Sequence, residues 1–325
     1  MNAVRTEGRG TINVGTQFIV SANIIQKKGV MPMKDRINRE LLRFFTSEVR
    51  EDILNVGDSF LNDLQEIRVR TNRPVILKSS RGERVLEKKM AKSEVESIFS
   101  AVCENSIYAF QEDIVNGFVT VFGGHRIGIV GKALYKENRL YNIRDVSGLN
   151  FRIARQVIGA ADKLIPSVIK NGEFLSTLLV APPGLGKTTI LRDLVRRISN
   201  AGYDVSLVDE RSEIAAVYRG EAQNDVGLRT DVMDSVSKSE GIRMMVRSMR
   251  PDFIATDEIG TDEDAEAILY AVNSGVKILA TAHGGSLEDL NRSTRLKELI
   301  GMGVFERIIV LKQEGFECVE KRKEN

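Results

Sequence analysis

Nine consecutive residues, Ala181-Pro-Pro-Gly-Leu-Gly-Lys-Thr-Thr189, hold the densest chemistry in the chain. Glycines in a turn let backbone N–H groups approach phosphate oxygens closely, and a following Lys-Thr supplies a cation and a metal-ligating hydroxyl. Pro183, Gly184, Leu185, Gly186, Lys187, Thr188 and Thr189 are therefore the expected nucleotide-binding residues. Lys187 would reach the β- and γ-phosphates and the Thr188 hydroxyl would ligate Mg²⁺. Ala181 departs from the common pattern, which begins with glycine.

Acidic and imidazole groups recur after three other apolar runs. Val205–Val208 leads into Asp209-Glu210, Phe253–Thr256 into Asp257-Glu258, and Val276–Ala282 into His283-Gly-Gly. A carboxylate beside a bound triphosphate can hold Mg²⁺, and a neighbouring one can orient the attacking water. Asp257 is the expected metal ligand. Lys187, Glu258, Glu210, Asp209 and His283 are the candidate catalytic groups, with Asp209, Glu210 and Glu258 all open as the residue that polarises water. Arg243, Arg247 and Arg250 recur at spacings of four and three before Asp257. They read as a solvated basic face or as a source of charge for a transferring phosphate.

These groups need elements that bring them together. Phe174–Val180 is nearly continuous apolar, as in a strand covered on both faces. Ile190, Leu191, Leu194, Val195 and Ile198 then form the stripe of an amphipathic helix. Strand, glycine loop and helix, followed by strands that each end in polar residues, predict a parallel α/β sheet with its ligand at the carboxyl edge. The preceding half mixes helix and strand. A helix is expected over Lys34–Val49, strands at 64–70 and from Val75, and a helix through Val102 opened by a Ser93/Glu96 capping box. A hairpin turns at Gly123-Gly124 between 118–122 and 125–130, and strands follow at 140–143 and 149–153.

Composition bounds the function classes. The 325 residues carry 47 Lys and Arg against 45 Asp and Glu, a net charge of only +2, which disfavours a protein that mainly coats nucleic acid. A local basic excess lies between Glu66 and Lys92. Cys103 and Cys318 are far apart without metal-ligand spacing, so neither a disulfide framework nor a zinc site is expected. No apolar run is long enough to span a bilayer. Residues 1–33 lack helical periodicity and read as a disordered or non-native extension, with a start at Met31 or Met33 as a further possibility. The expected organisation is that extension, an α+β domain over 34–150 and the α/β domain over 151–325.

The ordered set APPGLGKTT, VDERSEI, GLRTDVMD, EGIRMMVRSMRPDFIATDEIG and ATAHGGS resembles the stage III sporulation protein AA family. The segments LQEIRVRTNRPVIL, GFVTVFGGHRIGIVGKA and LNFRIARQ extend the resemblance into the first half. It implies a RecA-like P-loop ATPase core behind a smaller α+β domain, related to the traffic ATPases of type II and type IV secretion. It also implies ATP and Mg²⁺ as cofactors and a homo-hexamer with nucleotide near subunit boundaries. The motor would sit peripherally on the cytoplasmic side of a membrane, attached through the proteins of a sporulation channel. Gly184 to Thr189 match Walker A, Glu258 the Walker B glutamate, Asp209 and Glu210 the acidic box and His283 the histidine box. Asp257 departs from the secretion ATPases, which commonly have glycine there. Arg68, Arg70, Arg73 and Arg126 are the candidates for an arginine reaching a neighbour's nucleotide. A RecA-like nucleic-acid translocase and a non-catalytic nucleotide-dependent scaffold are the competing readings. The charge balance weighs against the first, and direct binding of nucleic acid is not expected.

Overall fold

A computed structural model of the chain describes residues 32–290 and 293–320. The extension expected over residues 1–33 lies, up to residue 31, outside the described residues. The chain enters through α1 (Met33–Glu40), a 3₁₀ turn at Leu42–Phe44 and α2 (Ser47–Leu54). The single helix expected over 34–49 is thus broken in two. Phe45 is extended, at φ −100° and ψ 156°, which turns its ring onto Phe151 with centroids 5.0 Å apart. Leu41, Leu42 and Val49 pack into the same core, so burying all four outweighs helical continuity.

Strands β1 (Leu64–Arg70), β2 (Pro74–Ser79), β3 (Gly82–Lys89), β4 (Phe118–Val121), β5 (His125–Lys136) and β6 (Arg139–Arg152) form one antiparallel sheet in the order β3-β2-β1-β6-β5-β4. The two strands expected at 140–143 and 149–153 are one long strand, β6, because β5 pairs along almost its whole length. Ile67, Val69, Ile127, Ile129, Leu149 and Phe151 alternate onto the buried face, covered by α1, α2 and α3 (Lys92–Val102). Helix α3 starts earlier than the expected Ser93/Glu96 box. Met90 is buried at the end of the preceding strand, so the chain turns at Ala91, whose N–H donates to the Glu94 carboxylate at 2.8 Å.

The second sheet supplies the site. In chain order it comprises β7 (Thr177–Ala181), α4 (Lys187–Asn200), β8 (Val205–Asp209), β9 (Thr230–Asp234), α5 (Lys238–Met249), β10 (Phe253–Glu258), α6 (Asp262–Asn273), β11 (Lys277–His283), α7 (Thr294–Gly301), β12 (Arg307–Leu311) and β13 (Phe316–Glu320). The order is β9-β8-β10-β11-β7-β12-β13, parallel except for β13. The strand expected over Phe174–Val180 is interrupted: Glu173-Phe174 pairs back on Ile169-Lys170, and β7 proper begins at Thr177. Leu178 and Val180 join the core beneath α5, α6 and α7, whereas Leu179 and Ala181 join the core beneath α4. Two covered faces explain the unbroken apolar run. Among the described residues no helix is long and apolar enough to cross a membrane.

Candidate functional site

The glycine loop leaves the carboxyl end of β7 and runs into the N-terminus of α4, which begins at Lys187. Gly184 and Gly186 have φ of +84° and +78°, and a Cβ on either would meet nothing within 4 Å. The left-handed backbone, rather than crowding within the chain, is what calls for glycine there. Pro183, Gly184 and Gly186 are exposed, so the loop faces solvent above the first turn of α4. Ala181 is fully buried as the last residue of β7, a strand position rather than part of the turn. This accounts for the tolerance of a methyl group where glycine was expected.

The strand ends converge on that loop. Lys187 donates to Glu258 Oε2 at 3.3 Å, its side chain mostly buried and that of Glu258 half exposed. Asp257 makes an ion pair with Lys238 at 3.0 Å, and Lys238 also donates to Glu210. His283 is exposed at the end of β11, in register with Ala181 at the end of β7. Thr188 and Thr189 follow Lys187 in the first turn of α4.

The two β10 carboxylates reach opposite partners through an irregularity. The β10–β11 register shifts between Ala255 and Glu258. Strict alternation would put Asp257 with Phe253 and Ala255, on the face covered by α4, and Glu258 with Ile254, on the α5 face. Instead Asp257 meets Lys238 at the start of α5, and Glu258 meets Lys187 at the start of α4.

Asp209 sits differently from the other acidic groups. It is fully buried, and its oxygens accept the N–H groups of Glu213 (2.9 Å), Ile214 (3.0 Å) and Ala215 (2.8 Å). Burial raises its pKa, against those three hydrogen bonds. The same turn is gripped from α4, where buried Arg192 donates to the carbonyls of Ile214 and Glu213, each at 2.6 Å. Asp257 is also raised by burial, with the Lys238 charge opposing. For Lys238 burial pulls downward, but the hydrogen bond to Glu210 and the charge of Asp257 hold the amine above its ordinary value.

Lys238 was not legible from its sequence neighbours. Lys-Ser-Glu-Gly reads as an ordinary helix start, and only the fold brings its amine between carboxylates from two strands. The basic face of α5 does not reach the loop within one chain. Arg243 pairs with Glu266 at 3.6 Å, and Arg247 donates to the Arg243 carbonyl. Arg250 lines a 390 Å³ surface cavity with Phe253 and Lys277, residues at the amino ends of β10 and β11.

The donor set fits a magnesium nucleotide. Mg²⁺ prefers hard oxygens and takes one or two protein ligands beside substrate phosphates, as Thr188 and Asp257 could provide. Among the described residues no group of three or more His, Cys, Asp and Glu side chains is arranged to hold an ion alone.

The segment after Asp209 also touches the first sheet. Gln223 accepts the Gly123 N–H at 2.8 Å, Tyr218 donates to Glu104, and Arg126 donates to the Arg211 carbonyl and to Glu213. Arg126 is therefore engaged within its own subunit. Arg68 pairs with Glu66 at 2.7 Å, and with Arg70 it borders a shallow concavity over Gly128 and Gly148.

The family model described as sporulation stage III, protein AA matches residues 34–319. The stage III sporulation protein AA of Bacillus subtilis strain 168 is 40% identical over 278 residues, which cover 84% of this chain and 90% of that protein. The ATPase DotB of Legionella pneumophila superposes with a TM-score of 0.55 at 14% identity, covering 86% of this chain and 82% of DotB. The pilus retraction motor PilT, solved with bound ADP, superposes with a TM-score of 0.56 at 15% identity, covering 85% and 83%. The fold is accordingly that of the RecA-like secretion ATPases, as the sequence motifs led us to expect.

Proposed function

The chain belongs to the sporulation stage III protein AA family, and from that premise we propose that it is an ATP-hydrolysing motor of the secretion type. The observation that carries this reading is the pairing of Lys187 with Glu258 directly above the glycine loop. In that pair each group holds the other away from its catalytic task. An incoming triphosphate gives Lys187 a stronger anionic partner and leaves Glu258 free to orient the attacking water. Thr188 and Asp257 would hold Mg²⁺, whose chemistry is to neutralise charge on the β- and γ-oxygens. The amides of residues 183–189 and the dipole of α4 would bind the phosphates. His283, exposed at the neighbouring strand end, would meet the γ-phosphate. Glu210 stays near the metal side, and Asp209 serves by holding the turn that carries Glu210.

The hydrogen bonds from Arg192 to the 209–215 turn, and those of Gln223 and Tyr218 to Gly123 and Glu104, would carry nucleotide state toward the first domain. Release of phosphate contacts would then let the α+β domain (34–150) shift against the ATPase domain (151–325). Family membership supports a homo-hexamer in which one of Arg68, Arg70, Arg73 and Arg126 faces a neighbour's nucleotide. It also supports work at the cytoplasmic face of a sporulation channel between mother cell and forespore, with attachment through channel proteins. The deciding experiment is steady-state ATP turnover by the purified ring. Lys187→Ala should reduce it to background, and a wild-type ring that never hydrolyses ATP with Mg²⁺ would end the motor reading.

A further inference from the structure

Lys238 is a cation set between carboxylates of two strand ends at this site. Its side chain is only 9% exposed, yet it contacts Glu210 at the end of β8 and Asp257 in β10. It is the first residue of α5, an unusual place for a cation, because the helix dipole there favours anions. The position is tightly specified from behind. Gly241, one turn on, lies so close to β8 that a Cβ there would come within 2.6 Å of Val208 Cγ1. The missing side chain lets helix α5 approach β8 closely enough to seat the amine between the two carboxylates. Lys187, another cation at the carboxyl edge, is committed to Glu258.

We propose that Lys238 is a positioning residue that acts as a built-in counter-cation. It holds Glu210 and Asp257 side by side and keeps divalent metal from occupying Asp257 until the metal arrives with nucleotide. Two adjacent carboxylates without it would repel each other and would also attract a free divalent cation. With Lys238 present half of the pair's negative charge is cancelled and Asp257 is already engaged, so metal binding requires the additional oxygens that a triphosphate brings. Glu210 remains with Lys238 when Asp257 is drawn to the metal, so the amine is never left buried without a partner. This inference rests on the nucleotide-binding reading above and adds to it an order of events: nucleotide and metal enter together.

The test uses Mn²⁺ as the probe, followed by the electron paramagnetic resonance signal of the free ion, on the full-length protein with and without ADP. Wild-type protein should take up Mn²⁺ only when ADP is present. Lys238→Met should bind Mn²⁺ without nucleotide, with affinity raised roughly tenfold or more over wild type. Lys238→Arg, which restores the charge, should return to the wild-type pattern. Equal Mn²⁺ binding by wild type and Lys238→Met would overturn the proposal, as would an arginine variant that behaves like the methionine one. Should the methionine variant not fold, wild-type protein alone decides: saturable Mn²⁺ binding of equal affinity with and without ADP overturns the idea. Failure to bind ADP at all would count against the nucleotide reading instead, whereas normal ADP binding with an unaltered Mn²⁺ response would count against Lys238 alone.

Discussion

Asp209 and Glu258 are both carboxylates at the carboxyl ends of parallel strands, but their surroundings assign them opposite tasks. Glu258 is half exposed and pairs with Lys187, and a glutamine there keeps a carbonyl oxygen to accept from that amine. Asp209 satisfies three backbone N–H groups in a turn with no solvent access to its own side chain. Glu258→Gln should therefore abolish ATP turnover while leaving the urea unfolding midpoint near wild type. Asp209→Ala should lower stability by about 3 kcal/mol, because orphaned buried donors lose both water and protein partners. Equal effects of the two variants on stability would refute this division of labour. Asp209 and Glu210 are neighbours in the chain, and only burial separates the group that builds the turn from the group that meets Lys238.

At its first turn helix α5 meets its strand through a glycine, beside the buried side chains of Ile242 and Met245. Gly241 lies against Val208 and Val236, with imagined Cβ distances of 2.6 and 2.8 Å. Gly241→Ala should force α5 outward from β8, cost roughly 1–3 kcal/mol in urea unfolding and loosen the contact of Lys238 with Glu210. An alanine variant as stable as wild type would mean that the helix has another seat. The broken first helix follows the same logic in reverse. The spacing of Leu41, Leu42, Phe45 and Val49 fits one continuous helix, but the extended backbone at Phe45 lets its ring meet Phe151 on β6. The start of α3 is likewise moved by the buried end of β3–Met90, not by the local Ser and Glu pattern.

Across the whole molecule, the chain that leaves the first sheet is tied back to α1 by a buried polar knot. Glu40 of α1 accepts from His125 Nε2 at 2.8 Å and from Arg36, while His125 Nδ1 accepts the Ala154 N–H at 3.1 Å, just beyond the end of β6. Arg36 also donates to the carbonyls of Gly123 and Ala154. Because Nδ1 is an acceptor, the ring is neutral, and burial lowers its pKa from the ordinary 6.5, outweighing the attraction of Glu40. Glu40 is held below its ordinary 4.5: burial opposes this, but the hydrogen bond from His125 and the Arg36 charge prevail. An unfolded chain therefore binds a proton at this histidine more readily than the folded one. The stability from His125 is intact above about pH 6.5 and is lost as pH falls through the lowered folded value, with Glu40 adding its own loss below about 4.5. Thermal midpoints measured across that range should decline in wild type. His125→Gln should unfold earlier at alkaline pH yet show a shallower decline between about 6.5 and 4.5. An unchanged slope would show that other groups govern acid sensitivity.

The sequence by itself determined the identity of the site's parts. Gly184, Gly186, Lys187 and Thr188 are contiguous, and their chemistry depends on local backbone freedom and residue type, which can be read without a fold. The parallel sheet was legible for a similar reason, since its strands are covered on both faces and appear as unbroken apolar runs. Tertiary structure decided which charged groups meet. Lys238 reaches Glu210 across 28 residues and Asp257 across 19, and the β10 irregularity reverses the faces that alternation would give Asp257 and Glu258. It also made His125 a link between α1 and the chain leaving the first sheet rather than an ordinary strand residue. Ion pairs and buried polar contacts form between elements remote in the chain, and their existence depends on register, close packing and burial, none of which is a property of neighbouring residues.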